Sequence, residues 1–286
     1  MTAATAIARS VALLNRGSVR RSGIGPTGYW ALRLFAYAVF SVLLLPLAVL
    51  IVASFSAQSY VVFPPERFSV AGYVAFLNDS VFLNSLLLSV ELATVAAIVA
   101  VVVGFLAAYT LVRKQFRGRS FLWGLFLSPL ILPQIIFGVG LLQFFTYFGL
   151  ATSFTGLLIA HVVSVIPYVI RTVGAALLTI DPCVEEAAAD LGAGHIETLL
   201  LVVAPMVKGG AIAGGLFAFI MSWVNVEISI FLSVTGNYTL PVVLYNYIEY
   251  SITTAVVAAA SVGIYVAVLL VLVIDRIIGI HTATKL

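Results

Sequence analysis

The sequence predicts an all-α membrane protein with six transmembrane helices. Of its 286 residues, 63% are hydrophobic and only 9% are charged, and the mean hydropathy is +1.19. Soluble chains carry roughly 25% charged residues, and a continuous apolar run of about 20 residues spans a bilayer. Because the apolar runs are separated only by short polar loops, we expect one integral membrane domain and no separate soluble domain.

The predicted elements follow the apolar runs along the chain. The first run is far longer than the roughly 7–15 apolar residues of a cleavable signal, so we expect an uncleaved helix there. The third run is interrupted by Pro129 and Pro133 with Gln134 beside them, and it should therefore face protein or a water-filled cavity. The fifth run begins with small residues that allow a neighbouring helix to approach closely. The predicted organisation is a cytoplasmic tail at 1–29, spans at about 30–55, 82–111, 121–147, 154–178, 207–232 and 255–280, and a second cytoplasmic tail at 281–286.

The basic residues predict the orientation of these spans. Of the 14 lysines and arginines, only Arg67 falls in a loop on the outer side. The positive-inside rule then places both termini, the 113–119 loop and the 179–207 loop in the cytoplasm. Since these charges are explained as topology signals, they do not predict nucleic-acid binding. The single cysteine, Cys183, would lie in a reducing compartment as an unreactive thiol.

The most polar stretch of the chain, which we call the bracket, lies at 181–205 and holds five of the eleven acidic residues. Alanine and glutamate favour a helix there. Asp181 can cap that helix with Pro182 in its first turn, and Gly192 should end it. A second short helix should follow until Pro205. Such a helix–turn–helix element either docks a soluble partner or merely joins two spans, and its length favours docking because ordinary connections have about 4–6 residues.

The spacing within the bracket resembles the EAA coupling loop of ABC-transporter importer permeases. That family carries E-A-A, three residues, G and a later P, which here are Glu186, Ala187, Ala188, Gly192 and Pro205. The resemblance covers about residues 55–280, and its most similar group is the second permease of spermidine/putrescine-type systems. Further landmarks are matched by Ser54-Phe-Ser, Phe63-Pro-Pro, Asn84-Ser85-Leu86, Ser128-Pro-Leu-Ile-Leu-Pro133 and Thr239-Leu-Pro241.

The resemblance implies a type I ABC importer permease fold, also called MetI-like, in a bacterial inner membrane. It implies four partners: a cytoplasmic ATP-binding cassette ATPase dimer, a second homologous permease subunit, an external solute-binding protein and membrane lipid. The implied ATPase-coupling residues are Glu186, Ala187, Ala188, Asp190, Gly192 and Pro205. Because the chain contains no G-x-x-x-x-G-K-[ST] sequence, we expect it to be no enzyme and to bind no metal or cofactor, with ATP and Mg²⁺ held by the ATPase.

Polar residues inside the predicted spans are candidates for the solute path. A continuous fifth span would place Glu227 about 28 Å from Lys208, close to the external membrane edge, where its carboxylate either lines the mouth of the path or has a structural role. A lone histidine such as His161 is alternatively a packing residue. The path candidates are Asn225, Ser222, Glu227, Gln134 and His161.

The solute that the resemblance implies is a small amine-containing compound such as a polyamine, an opine or an aminophosphonate. Relatives that move polyamines often carry acidic residues at the places of Val224 and Asn225, so a zwitterionic or anionic amine derivative stays an alternative. The rival function is an ion-coupled secondary transporter that uses Glu91 or Glu227, although the inverted repeats common in such proteins are not visible. The absence of H-E-x-x-H and G-x-S-x-G sequences argues against an intramembrane enzyme.

Overall fold

The computed structural model describes residues 26–278 except 59, 234, 235 and 251. The described residues are mostly helical, and the β-type pairing found among them is limited to isolated bridges such as Ser56 with Phe68. The prediction of an all-α protein is therefore confirmed. The chain divides into two compact units, at 1–50 and 51–286.

The helices alternate between long apolar segments and short connecting pieces. In chain order they are α1 (Pro26–Ala53), α2 (Ala71–Asn78), α3 (Ser80–Arg113), α4 (Arg119–Ile131), α5 (Gln134–Tyr147), α6 (Phe154–Leu178), α7 (Cys183–Asp190), α8 (His195–Met206), α9 (Lys208–Trp223), α10 (Ser229–Leu232), α11 (Leu240–Tyr250) and α12 (Thr254–Ile278).

The number of helices that can cross a membrane falls below the six predicted. Within the described residues, three helices are long and apolar enough, namely α1 from Tyr29 onward, α3 and α6, and the count reaches five if each of two bent helix pairs forms one span. Helix α12 extends over Thr254–Ile278, and its segment Thr254–Leu270 is apolar but is not one of these spans. A sixth span at 255–280 therefore stays a prediction.

The core of the second unit is built by α3, α6 and α9, which pack against one another. Helix α3 contributes small buried residues at helical spacing, and α6 contributes β-branched residues opposite them. Gly104 of α3 marks a close approach to α6, because a Cβ there would lie 2.8 Å from the Cβ of Val169. Small residues at such crossings let two helix backbones approach closely, which is how helices associate in lipid. The buried residues of this interface include Ala93, Ala96, Ala100, Ala108, Val165, Val169, Val173 and Leu177.

The structure shows the interruption that was predicted in the third span, and it corrects the length of the fifth. The 121–147 segment bends by 110° between α4 and α5, where Pro133 cannot donate a backbone hydrogen bond. The 207–232 segment is shorter than predicted, since α9 ends at Trp223 and is bent by 75° from α8. The chain then turns before the short helix α10.

The predicted external loop after the fifth span contains a helix that the sequence analysis did not identify. Helix α11 begins at Leu240, whose backbone N–H donates to the buried Ser89 Oγ of α3 at 2.7 Å. At the same end of the unit, α2 packs against α12, and a Cβ on Gly72 would lie 2.9 Å from the carbonyl oxygen of Thr254. These contacts hold the loops against the core helices.

The packing of α9 generates a stability prediction. In Gly214→Ala the new Cβ would lie 2.9 Å from the Val169 Cα of α6, so we expect the substitution to cost about 1–3 kcal/mol through overpacking. Gly209→Ala on the same helix is the matched control, because its Cβ meets no atom within 4 Å. Thermal unfolding of the purified protein in detergent should show a lower midpoint for Gly214→Ala only. Equal midpoints for the two variants would contradict the close approach of α6 and α9.

Candidate functional site

The first helix of the bracket, α7, is closed at both ends by local chemistry. At its start, Asp181 Oδ1 accepts a hydrogen bond from the Cys183 backbone N–H at 2.9 Å. At its end, Gly192 has a φ of +91° and lets two backbone bonds form, from Gly192 to the Ala189 carbonyl at 2.9 Å and from Ala193 to the Ala188 carbonyl at 3.0 Å. This pair of bonds is a Schellman motif, which satisfies carbonyls left over at a helix end.

The second helix of the bracket, α8, starts from a cap and widens before the membrane segment. Glu197 Oε2 accepts a hydrogen bond from the Gly194 backbone N–H at 2.9 Å. Residues Thr198–Val203 form a π-helical turn, and Pro205 follows, which cannot donate to the carbonyl four residues earlier. Helix α8 then bends by 75° into α9 at Val207. The two helices of the bracket therefore lie between α6 and α9 as a folded element.

The Asp181 carboxylate also affects the ionisation of Cys183, the only cysteine of the chain. The backbone and side-chain hydrogen bonds from Cys183 lower the pKa of the Asp181 carboxyl below its usual value. Conversely, the hydrogen bond to this carboxylate raises the pKa of the exposed Cys183 thiol. Because the thiolate is the reactive form, this geometry supports the interpretation of an unreactive thiol.

Most of the predicted coupling residues are exposed on the surface of the bracket. Ala188 is half-buried, and the other five are exposed to solvent. The sequence analysis did not select Leu191, which is 90% exposed, or Ile196, which is 72% exposed. The signal for Leu191 was available, because a large apolar side chain stands between Asp190 and Gly192 in an otherwise polar loop. The exposed coupling residues are Glu186, Ala187, Asp190, Gly192 and Pro205.

Another residue that the sequence analysis did not select, Glu185, connects α7 to the membrane helix α3. Its Oε1 lies 2.7 Å from Arg113 Nε, and its Oε2 accepts a hydrogen bond from the Tyr109 hydroxyl at 2.8 Å. Arg113 also donates from Nη2 to the Ile180 carbonyl at 2.9 Å. No local sequence pattern predicts this contact, because 76 residues separate Tyr109 from Glu185.

Three of the five predicted path residues line one cavity of about 480 Å³, namely Gln134, Asn225 and Glu227. The cavity lies where α4 and α5 are broken and where the chain turns after α9. Ser164 and Tyr168, from the middle of α6, also line it. The remaining candidates, His161 and Ser222, are buried and do not belong to its lining.

Two amide side chains hold the backbone breaks that shape this cavity. Gln134 Nε2 donates to the Pro129 carbonyl at 2.8 Å, in place of the N–H that Pro133 lacks. Asn225 Oδ1 accepts from the Ile228 N–H at 2.9 Å, which caps the turn into α10. In apolar surroundings an unpaired backbone group costs several kcal/mol. Both residues therefore have a structural role in addition to facing the cavity.

The position of Glu227 corrects the depth inferred from a continuous fifth span. Because α9 ends at Trp223, counting helical rise from Lys208 does not apply to Glu227. Instead the exposed Glu227 side chain shares a cavity with Tyr168 from the middle of α6. Glu91, the other carboxylate considered for ion coupling, is exposed on α3 and does not line this cavity.

His161 is a fully buried residue that bonds through both ring nitrogens. Nδ1 lies 2.8 Å from Ser222 Oγ, and Nε2 lies 3.0 Å from Ser229 Oγ. The Ser229 hydroxyl already donates to the Asn225 carbonyl at 2.8 Å, so Nε2 carries the proton and Nδ1 accepts from Ser222. These bonds join α6 to α9 and α10, which supports the packing interpretation of His161.

We expect His161→Ala to lower the free energy of unfolding by about 2–4 kcal/mol, because it removes two buried hydrogen bonds and opens a void. Thermal unfolding in detergent is the measurement. Ser164→Ala is the control, since the Ser164 hydroxyl donates only to the His161 carbonyl in its own helix. Solute uptake per folded molecule should fall more for Asn225→Ala than for His161→Ala, and the opposite order would restore His161 as a path residue.

The comparisons with known proteins agree with the sequence resemblance. Spermidine/putrescine transport system permease protein PotC of Haemophilus influenzae is 31% identical over 83% of this chain and 92% of its own length. Putrescine transport system permease protein PotI of Escherichia coli is 30% identical over 78% of this chain and 81% of its own length. Both relatives are permease proteins, and the prediction of a permease subunit rather than an enzyme is confirmed.

Two solved structures share the fold. A bacterial ABC transporter for the import of the acidic polysaccharide alginate gives a TM-score of 0.70 at 19% identity, over 90% of this chain and 97% of the other. The MetNI methionine ABC transporter in inward-facing conformations gives 0.58 at 20% identity, over 69% and 94%. Residues 100–282, more than half of the chain, match the family described as "Binding-protein-dependent transport system inner membrane component". This chain belongs to that family and is a permease of a binding-protein-dependent ABC importer.

Proposed function

We propose that this chain forms half of the solute path of an ATP-driven importer and couples to a separate ATPase dimer through the bracket at 181–205. One observation carries the coupling role. A folded helix–turn–helix element between two core helices exposes an apolar residue, Leu191, beside carboxylates and small residues. The proposed solute is a small amine-containing compound.

The surface of the bracket supports docking to a protein with an apolar pocket and a basic rim. Burial of a leucine side chain is worth about 1.5–3 kcal/mol, and Leu191 is almost entirely uncovered. Glu186 and Asp190 lie one helical turn apart on α7 and are also exposed, so they can pair with basic groups of the partner. Ala187 adds no bulk, which lets a cleft close around the helix. ATP and Mg²⁺ would be held by this partner, because the chain lacks a phosphate-binding G-x-x-x-x-G-K-[ST] sequence.

The contact between Arg113 and Glu185 supports the proposed orientation in the inner membrane. It brings the basic loop at 113–119 and the bracket to the same end of the helices. The positive-inside rule favours the cytoplasm for that end, where an ATPase would find its nucleotide. With six spans in the order proposed from the sequence, the tails at 1–29 and 281–286 lie on the same side.

Two further partners complete the proposed importer, a second homologous permease and an external solute-binding protein. A structure of the alginate transporter in complex with a pentasaccharide-bound periplasmic protein is similar to this chain, with a TM-score of 0.67. The described part of this chain has a cavity that is open and formed by one subunit, so a second permease would provide the other wall. Lipid would cover the exposed apolar faces of the long helices.

The cavity supports an amine-containing solute. Glu227 supplies one carboxylate for an ammonium group, Gln134 and Asn225 supply amide groups for hydrogen bonds, and Tyr168 supplies an aromatic face for a cation. The relatives PotC and PotI carry the names of spermidine and putrescine in their descriptions. A single carboxylate matches one ammonium group, so a zwitterionic amine fits this cavity as well as a polyamine does.

The docking role of the bracket predicts that Leu191→Asp releases the ATPase. In the complex, the aspartate would bury a charge where the leucine buries an apolar side chain. The amount of co-purified ATPase should therefore fall at least tenfold, since about 1.4 kcal/mol corresponds to a factor of ten. Val61→Asp is the matched control, because it adds the same charge at an exposed apolar residue in the loop between α1 and α2. If both variants retain the ATPase equally, the bracket is not its docking site.

The solute role of the cavity predicts that Glu227→Gln slows uptake of putrescine into proteoliposomes containing the complete complex. Removing the carboxylate removes the attraction for the ammonium group, and we expect at least a tenfold lower rate. Glu91→Gln is the control, because Glu91 is exposed outside the cavity. Equal rates for the two variants, or a larger effect of Glu91→Gln, would contradict the assignment of the cavity.

A further inference from the structure

The start of α7 is clamped by a single residue of α3. The guanidinium of Arg113 donates to the Ile180 carbonyl at 2.9 Å and lies 2.7 Å from the Glu185 carboxylate. Ile180 and Glu185 stand on the two sides of the turn that begins the bracket. Tyr109, one helical turn before Arg113 on the same face of α3, adds a hydrogen bond to the same carboxylate at 2.8 Å.

This clamp is not available to a partner protein. The side chains of Arg113 and Glu185 are only 11% and 16% exposed, whereas the neighbouring Glu186 faces solvent. In the part of the chain that the structure describes, it is the one ion pair between a basic side chain and a carboxylate. Two adjacent glutamates of the bracket therefore have opposite orientations, one toward the membrane helices and one toward the outside.

The clamp connects the bracket to the wall of the cavity. Arg113 is the last residue of α3, and Gly104 lies nine residues earlier, about 14 Å along the helix. At Gly104 the helix packs against Val169 of α6, with a distance of 2.8 Å to the Cβ that an alanine would carry. The preceding residue of α6, Tyr168, lines the cavity. Helix α3 thus connects the Glu185 carboxylate to a lining element of the cavity through its packing against α6.

We propose that Glu185, Arg113 and Tyr109 are positioning residues that transmit movement of α7 to α3 and from there to the cavity. This inference rests on the proposed coupling function of the bracket. An ATPase that moves α7 would pull on α3 through the charged contact, because Arg fixes both sides of the turn in one geometry. The α8 half of the bracket also packs on the core through Val203 and Leu199, whereas the charged contact acts on α7.

The test uses the complete complex in proteoliposomes, with putrescine uptake and ATP hydrolysis measured in the same sample. Glu185→Gln should retain the ATPase and its hydrolysis but lower uptake per ATP hydrolysed at least fivefold. Glu186→Gln, the adjacent exposed residue, should instead weaken retention of the ATPase. Glu197→Gln is the neutral control, because a glutamine can still accept the Gly194 hydrogen bond that caps α8.

Two further variants separate transmission from misfolding. Tyr109→Phe removes one hydroxyl and no charge, and it should lower uptake per ATP about two- to threefold in a complex with unchanged elution on size-exclusion chromatography. The double variant Arg113→Gln with Glu185→Gln should be no worse than the more affected single variant, since residues that act through one contact are not additive.

Three results would overturn the inference. They are unchanged uptake per ATP in Glu185→Gln, loss of the ATPase in Glu185→Gln to the extent seen in Leu191→Asp, and additive losses in the double variant. Failure of the proposed function is a different result, in which Leu191→Asp leaves the ATPase bound.

Discussion

The structure depends on one constraint: a chain in apolar surroundings must pair its own backbone donors and acceptors. A long uninterrupted helix such as α3 meets this requirement without help from side chains. Where a helix is broken, a side chain has to supply the missing partner. Gln134 does so at the Pro133 break, and Asn225 does so after α9. These breaks are also the places that line the cavity, so the polar groups near a solute are the groups that make the irregular backbone tolerable.

The bracket is not under this constraint, because water can satisfy its polar groups. Its helices are short, and their ends are closed by the Asp181 cap and the Gly192 Schellman motif. A short helix of this kind gains little stability from its own propensity, so the contact of Glu185 with α3 matters for its position. What remains unburied in this arrangement is Leu191, which a partner can cover. The element is therefore held on one face and open on the other.

The parts of this structure that the sequence predicted are those encoded locally. The cap at Asp181, the stop at Gly192 and the interruption near Pro133 depend on neighbouring residues and were found where expected. The contact of Arg113 with Glu185 depends on tertiary packing between distant segments and gave no local signal. The depth of Glu227 was predicted wrongly for a related reason, since the end of α9 at Trp223 contains neither proline nor glycine, the residues that usually mark a helix end. The start of α11 was not predicted for the same reason, because its first N–H, that of Leu240, bonds to Ser89, which lies 151 residues away.

The central claim is that the bracket is the surface through which this permease engages its ATPase. Hydrogen exchange of the backbone amides at 183–192, measured in the membrane-embedded permease with and without bound ATPase, tests it most directly. We predict that these amides exchange at least tenfold more slowly in the presence of the ATPase, while the exchange of the amides at 61–70, between α1 and α2, is unchanged. Unchanged exchange at 183–192 in a complex that demonstrably contains the ATPase would contradict the claim.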